Sequence, residues 1–332
     1  MRRKEINMDF IQEMSERLKG NQMRIVFPEG SDPRVLWAAV KHAKDGLIKP
    51  IVIGEKAAVE EVAKKEGLEL QGLDIVEPGN CEHEDELVQK FVERRKGKID
   101  EAGAVEKLKD PNYLGTMMVY AGYADGMVSG AEHTTGETVL PALQIIKTKP
   151  GISRVSGLFI LIREDERYFM ADCAINTSMD TQTMAEVAVA THVSAKQFGV
   201  DPKIAMLSFS TKGSAKSDTV TMVADATQIV KDEHPEIKID GELQFDAAFV
   251  PEVGKKKAPG SDVAGQANSF IFPSLEAGNI GYKIAQRLGG FEAIGPVLQG
   301  LNMPVNDLSR GCNREEVYQL AIITAVQAYL AE

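Results

Sequence analysis

The stretch RIVFPEGSDPRVLWAAVKHAKDG, Arg24 to Gly46, decides the fold class. Arg24 to Phe27 is a short, mostly apolar run that predicts a buried strand. The small-residue loop PEGSD follows, and apolar side chains then recur at helical spacing from Pro33 to Lys44. Ser31 or Asp32 can cap that helix. Pro33 suits its first turn, where an N–H would have no partner, and Gly46 ends it.

The same beat repeats outward from this unit. Strand Ile51 to Ile53 leads to helix Lys56 to Lys65, and strand Asp74 to Val76 to helix Glu84 to Lys96. A further helix starts at Asp110 and Pro111, and strand Gly126 to Ser129 precedes helix Thr135 to Lys147. Strand and helix in alternation predict an α/β protein with a largely parallel sheet between helical layers. Past Gly151 the rhythm changes. Val155 to Ile162, the polar turn Arg163 to Glu166 and Arg167 to Cys173 read as an antiparallel hairpin, so a mixed sheet is expected there. Alternation resumes with helix Thr181 to Phe198, strand Ile204 to Phe209, helix Thr219 to Asp232, strand Ser269 to Phe272, helix Glu276 to Leu288 and strand Ala293 to Val297. A domain break is placed near Pro150, and the last helix, from about Asn313, is expected to return to the first domain.

Composition narrows the function classes. The 332 residues are 43% hydrophobic and 26% charged, enough for a large core in two domains. A formal net charge of -11 argues against a general nucleic-acid binder, whose affinity depends on basic surface. Arg2, Arg3 and Lys4 are followed by Glu5, Asn7 and Asp9 instead of an apolar run, so no secretory signal is read and the cytoplasm is the expected location. The longest apolar runs, such as Leu158 to Ile162, are far short of a membrane span. Cys81, Cys173 and Cys312 show no CxxC spacing, and the five histidines form no HExxH or paired motif; reduced thiols and no metal site are expected.

Chemistry is expected in the loops after strand C-terminal ends, where ligands bind in open α/β sheets. These loops are PEGSD (Pro28 to Asp32), VSGAEHTTG (Val128 to Gly136, with Ser129 and Gly130), SFSTKGSAKS (Ser208 to Ser217, with Ser210, Thr211 and Lys212) and FPSLEAGN (Phe272 to Asn279). A fifth, NDLSRGC at Asn306 to Cys312, runs into the final helix. Ser309 offers a hydroxyl there and Arg310 a planar fork for phosphate, beside the free amides of a helix N-terminus. A phosphorylated substrate follows from that grouping. No GxxxxGK[ST], GxG or GxSxG motif is present, which withdraws support from nucleotide hydrolysis, dinucleotide binding and serine catalysis. Glu316, three residues after Asn313, reads first as half of a capping box, and the helix dipole that favours its charge weakens it as a base. Cys173 and Cys312 read as packed thiols rather than nucleophiles.

Taken in order, PALQIIKTKPG (Pro141 to Gly151), ADCAIN (Ala171 to Asn176), LSFSTKGSAKS (Leu207 to Ser217), DGELQFDAAFVP (Asp240 to Pro251), FPSLEAGNIGYKIAQRLG (Phe272 to Gly289) and NDLSRGC closely resemble the phosphate acetyltransferases. The resemblance spans Arg24 to the C-terminus; the related phosphate butyryltransferases share the architecture but stand further off. It implies two three-layer α/β/α domains of the isocitrate and isopropylmalate dehydrogenase type, residues 1–150 with 304–332 and residues 151–303, an active site in the cleft between them, and a homodimer. The implied reaction is acetyl-CoA plus phosphate giving CoA plus acetyl phosphate, by direct thiolate attack with both substrates bound. CoA is then a substrate, and no covalent cofactor, metal, nucleic acid or membrane is involved.

By resemblance, Ser309 is the oxyanion donor, Arg310 the phosphate ligand and Glu316 the base, where the family has an aspartate. Arg34 and Arg95 match arginines around phosphate or CoA, and Arg287 one near CoA. A second departure lies in HTTGETVLPALQ, His133 to Gln144, where the family usually reads HSTADTVRPALQ: Leu140 replaces an arginine. A non-catalytic sensor of acetyl-CoA or acetyl phosphate is the competing reading, favoured by Leu140 and Glu316, and a dehydrogenase ranks third.

Overall fold

The computed structural model describes residues 9–331. Arg2, Arg3 and Lys4, on which the argument against a secretory signal rests, lie outside them. The chain divides into two compact units, Met1–Lys149 with Leu301–Glu332, and Pro150–Gly300. The return point falls three residues before the expected 304. Leu301 bridges Thr148, and the Asn302 amide donates to the carbonyls of Ile146, Lys147 and Thr148, which fastens 301–303 to the first unit.

In the first unit the elements run α1 (Phe10–Leu18), β1 (Arg24–Phe27), α2 (Pro33–Asp45), β2 (Lys49–Ile53), α3 (Lys56–Glu66), β3 (Asp74–Val76), α4 (Glu84–Arg95), α5 (Glu101–Leu108), α6 (Pro111–Ala121), β4 (Gly126–Ser129) and α7 (Thr135–Ile145). The second unit holds β5 (Ser156–Arg163), β6 (Glu166–Ala171), α8 (Thr181–Gln197), β7 (Ile204–Leu207), α9 (Asp218–Glu233), β8 (Ile239–Leu243), α10 (Phe245–Phe249), α11 (Pro251–Lys257), β9 (Ser269–Ile271), α12 (Leu275–Arg287) and β10 (Glu292–Gln299). The chain then returns to the first unit with β11 (Val305–Asp307) and α13 (Arg314–Tyr329).

The first sheet has five strands in the order β11-β4-β1-β2-β3, all parallel. Helices α1, α2, α3 and α13 pack together against one face and α4 to α7 against the other. The opening segment is built as read. Asp32 accepts from the amides of Arg34 and Val35, Pro33 fills the first turn, and Gly46 ends α2 at φ 68. Strand β11, absent from the sequence reading, is three residues long. It is fixed by pairing with β4 and by the Asn306 amide, which donates to Thr324 Oγ1 and Gln327 Oε1 on α13. α13 is buried along most of its length, from Val317 to Ala328, and forms the central support of this face.

The second sheet is mixed, in the order β10-β5-β6-β9-β7-β8, with β5 antiparallel to both its neighbours. The hairpin expected over Val155 to Cys173 is the β5–β6 half of that antiparallel pairing, and β10 supplies the other half. β8, α10 and α11 fill the segment that the sequence reading left blank. Helices α8 and α9 cover one face, and α10 and α12 the other. Phe159, Met170, Leu243, Phe270 and Phe272 are among the buried residues of one core cluster in this unit.

Candidate active site

Three loops of the first unit leave the C-terminal ends of adjacent parallel strands β1, β4 and β11, and Arg34 joins all three. Its Nη2 donates to the carbonyl of Ala131 after β4, at 2.8 Å, and its Nη1 to the carbonyls of Arg310 and Cys312 after β11, at 2.8 and 3.0 Å. Its Nε and Nη2 also close on the Asp32 carboxylate, and that hydrogen bonding raises the guanidinium pKa. Every N–H direction of the fork ends on protein. The expectation that Arg34 binds phosphate or CoA therefore meets a guanidinium committed to its own chain.

Glu29, which the sequence reading passed over within PEGSD, is the second organiser. Its side chain is fully buried and accepts hydrogen bonds from the amides of Gly130, Ala131, Glu132 and His133, the last three at 2.8 to 2.9 Å. His133 Nδ1 adds a fifth contact at 2.8 Å. Burial pushes the carboxyl up, but the bonds from His133 and the amides outweigh it, so Glu29 stays ionised below its ordinary value. Gly130 was expected among the substrate-binding residues of this loop, and its amide donates to Glu29. Gly130 sits at φ 112, and a Cβ there would collide with the Asp307 carboxylate and come within 2.7 Å of the Leu308 main chain. Ser129 is likewise turned inward: its hydroxyl is buried against Asn112 Oδ1 at 2.7 Å, and its carbonyl accepts from Leu308 N–H.

On the third loop the exposed groups are the ones the sequence singled out. Ser309 and Arg310 both face solvent. The Ser309 hydroxyl accepts from Gly311 N–H at 3.3 Å, whereas the Arg310 guanidinium makes no hydrogen bond or ion pair with protein. Glu316 forms the expected capping box, receiving Asn313 N–H at 3.0 Å while its own amide donates to Asn313 Oδ1 at 2.9 Å. Cys312 is buried and its thiol is pushed up to about 11, chiefly by desolvation; Cys173 is raised by burial too, so neither is a thiolate nucleophile at neutral pH. Asp307, also missed in the sequence, is 1% exposed, accepts from Thr135 Oγ1 at 2.7 Å and leaves Oδ1 unpaired. Burial raises it to about 6.

A basic cluster lies at the C-terminal ends of α4 and α7, the opposite end of α7 from the loop after β4. Arg95 ends α4 and reaches the Gln144 carbonyl at 3.4 Å, and Arg94 binds the carbonyls of Ile145 and Ile146 at the end of α7. Lys147 is depressed by the charge of Arg94 first, then by desolvation, and then by the charges of Lys96, Arg95 and Lys98. Leu140 on α7 is half exposed.

In the second unit the loop Ser208 to Ser217 turns its donors onto carboxylates of β8. Ser210 Oγ and Gly213 N–H bind Glu242, at 2.9 and 2.7 Å, Thr211 Oγ1 bonds Gln244, and Lys212 and Lys231 share Asp240, which falls to about 2 because these bonds and that of Ser261 outweigh its burial. Ser210, Thr211 and Lys212 are thus engaged within the unit instead of open to an anion. A pocket of about 670 Å³ flanks Asp240, and its lysines Lys212, Lys231, Lys238 and Lys257 all have carboxylate partners. Arg287, the last residue of α12, is exposed. Among the described residues no cluster of histidine, cysteine and carboxylate groups could hold a metal ion, and no helix is long and apolar enough to cross a membrane.

Residues 9–325 match the family model described as phosphate acetyl/butaryl transferase. A curated phosphate acetyltransferase of Bacillus subtilis strain 168 is 58% identical over 320 residues, covering 96% of this chain and 99% of its own. Among solved structures, a phosphotransacetylase from Streptococcus pyogenes superposes with a TM-score of 0.93 at 55% identity, over 97% of this chain and 98% of its own. The EutD phosphotransacetylase from Staphylococcus aureus gives 0.91 at 57% identity, over 96% and 98%.

Proposed function

The chain belongs to the phosphate acetyl/butaryl transferase family, and we propose that it works as a phosphate acetyltransferase, moving an acetyl group reversibly between CoA and inorganic phosphate. The observation that carries the chemistry is Arg310: a guanidinium with no protein partner, exposed beside the Ser309 hydroxyl, on a loop whose main chain is held by Arg34. An unpaired planar cation is suited to a phosphoryl group, and an adjacent hydroxyl to the oxyanion of a tetrahedral intermediate. Thiolate attack on acetyl phosphate then needs no protein nucleophile, because joint binding supplies proximity. The buried, protonated state of Cys312 and Cys173 supports that reading.

The cluster of Arg95, Lys147, Lys96 and Lys98 supplies positive charge for the phosphates of CoA and offsets the arginine that Leu140 replaces. Arg287 and the loop with Ser210, Thr211 and Lys212 enter this reading through the family resemblance alone. Glu316 is the proton acceptor that the resemblance nominates, although one of its oxygens caps α13. A cytoplasmic homodimer completes the proposal, and light scattering on the purified protein tests the dimer.

The decisive experiment adds phosphate to protein and acetyl-CoA and measures free thiol together with acetyl phosphate. Equal amounts of both establish the reaction. Saturable binding of acetyl-CoA without either product would instead select the sensor reading, which the capped Glu316 and the leucine at position 140 favour.

A further inference from the structure

The transfer reaction needs a proton carrier. The incoming thiol must lose its proton, since a free thiol with a pKa of about 8.5 is mostly protonated at neutral pH. The leaving phosphate must gain one, because expulsion as a fully deprotonated trianion is unfavourable. We propose that His133 carries this proton, accepting it at Nε2 from the CoA thiol and delivering it to the departing phosphate oxygen, with Glu29 as its positioning residue.

Three observations carry the assignment. His133 Nδ1 lies 2.8 Å from Glu29, whose side chain is fully buried and itself held by four consecutive backbone amides, so the ring's orientation is fixed from beneath. A carboxylate on Nδ1 selects the tautomer that leaves Nε2 free to accept. The side chain is 27% exposed and Nε2 meets no protein group, so the working edge is open to a ligand. Finally, His133 stands two residues from Ala131, whose carbonyl shares the Arg34 guanidinium with that of Arg310. The Glu137 carboxyl, held down first by the Thr134 amide and hydroxyl, also feels the charges of both His133 and Arg310.

The charged groups facing the ring are Glu29 from the β1 loop, Asp110 before α6, Glu132 beside it in the chain and Glu137 in α7. All are acidic, and the bond to Glu29 is the main influence raising the ring above its ordinary value, which brings it toward the thiol it must deprotonate. Glu316, by contrast, keeps one oxygen on the Asn313 amide. In the forward step the S–H bond breaks as sulfur bonds to the acetyl carbon and the proton moves to Nε2. As the tetrahedral intermediate collapses, the C–O bond to phosphate breaks and Nε2 returns the proton to that oxygen. The products are acetyl-CoA and hydrogen phosphate, with the imidazole neutral again.

This inference rests on the acetyltransferase reading, and the test separates the two. Wild type is assayed first: no acetyl phosphate from acetyl-CoA and phosphate removes the reaction itself. With an active wild type, His133→Gln is expected to lower kcat about 10²- to 10⁴-fold, in both directions, with the KM values for CoA and phosphate within about twofold. The acid limb of the pH–rate profile is expected to vanish in that variant, to move to lower pH in Glu29→Gln and to stay in place in Glu316→Gln. Added imidazole is expected to restore part of the rate to His133→Ala, which a purely structural histidine would not allow. Should the variants fail to fold, the ring of His133 titrated by NMR in wild type must match the acid limb. A His133→Gln enzyme with full rate and an intact limb, loss of the limb in Glu316→Gln, absence of imidazole rescue in folded His133→Ala, or a ring that titrates elsewhere would each overturn the assignment.

Discussion

Arg34 donates to the main-chain carbonyl of Arg310 at 2.8 Å, so one arginine sets where another stands while touching none of its side chain. The two residues are 276 positions apart in the chain, and the bond ties the loop after β1 to the loop after β11. Arg34→Gln is expected to lower kcat about tenfold to a hundredfold, as small misplacements of a reacting group do, with the KM for phosphate unchanged. Steady-state kinetics check this: a raised KM with intact kcat would return Arg34 to the ligands.

The half-exposed Leu140 stands on α7 near the cationic cluster. Leu140→Arg is expected to lower the KM for phosphate or CoA by a few-fold, an effect that shrinks as salt screens it. Arg95→Gln should move the same constant the other way. Initial rates at low and high ionic strength measure both; a Leu140→Arg enzyme with unchanged or worse constants sinks the idea.

Asp307 and His42 make opposing demands on acid stability. Asp307, raised by burial to about 6 from 3.8, binds a proton more readily when folded, so stability increases as pH falls through that window. Full protonation is worth up to about 3 kcal/mol at about 1.4 per pKa unit. His42, buried against Tyr318 and lowered by desolvation to about 3 from 6.5, is neutral when folded, so stability decreases as pH falls below 6.5. Wild type should therefore change little between these limits, while Asp307→Asn, lacking the compensating group, loses stability steeply on acidification. Chemical denaturation at a series of pH values is the measurement, and parallel curves for the two proteins would refute it.

Glu316 closes a capping box on α13, whose buried face supports the first sheet. Glu316→Ala is expected to cost about 1 kcal/mol, in the range measured for lost helix caps. Thermal unfolding gives the value. An unchanged midpoint would mean that packing of Val317 and Leu320 alone holds the turn.

How much of this was readable beforehand depends on where the information sits. The β1–α2 unit was legible because strand, cap, proline and terminal glycine all lie within Arg24 to Gly46. β11 was not, since three residues carry no periodicity and its identity as a strand comes from pairing with β4. Arg310 and Ser309 were visible as an exposed pair ahead of a helix. The fate of Ser129, Ser210 and Lys212 was hidden because Asn112, Glu242 and Asp240, which take them up, are distant in sequence. Glu29 was hidden in the same way: a carboxylate in a strand-to-helix loop is ordinarily solvated, and its partners are the consecutive amides of Gly130 to His133, more than 100 residues on. Nothing local in PEGSD pointed to that stretch.

The edge position of β11 has a temporal meaning. Ribosomes deliver β1 and β4 early and β11 only after the whole second unit has been made, so the loop bearing Arg310 joins its neighbours last. A nascent polypeptide that stops before residue 305 lacks both the unpaired guanidinium and the helix that shields the sheet. Such fragments would expose the apolar surface normally beneath α13 and would lack the arginine on which the proposed chemistry depends.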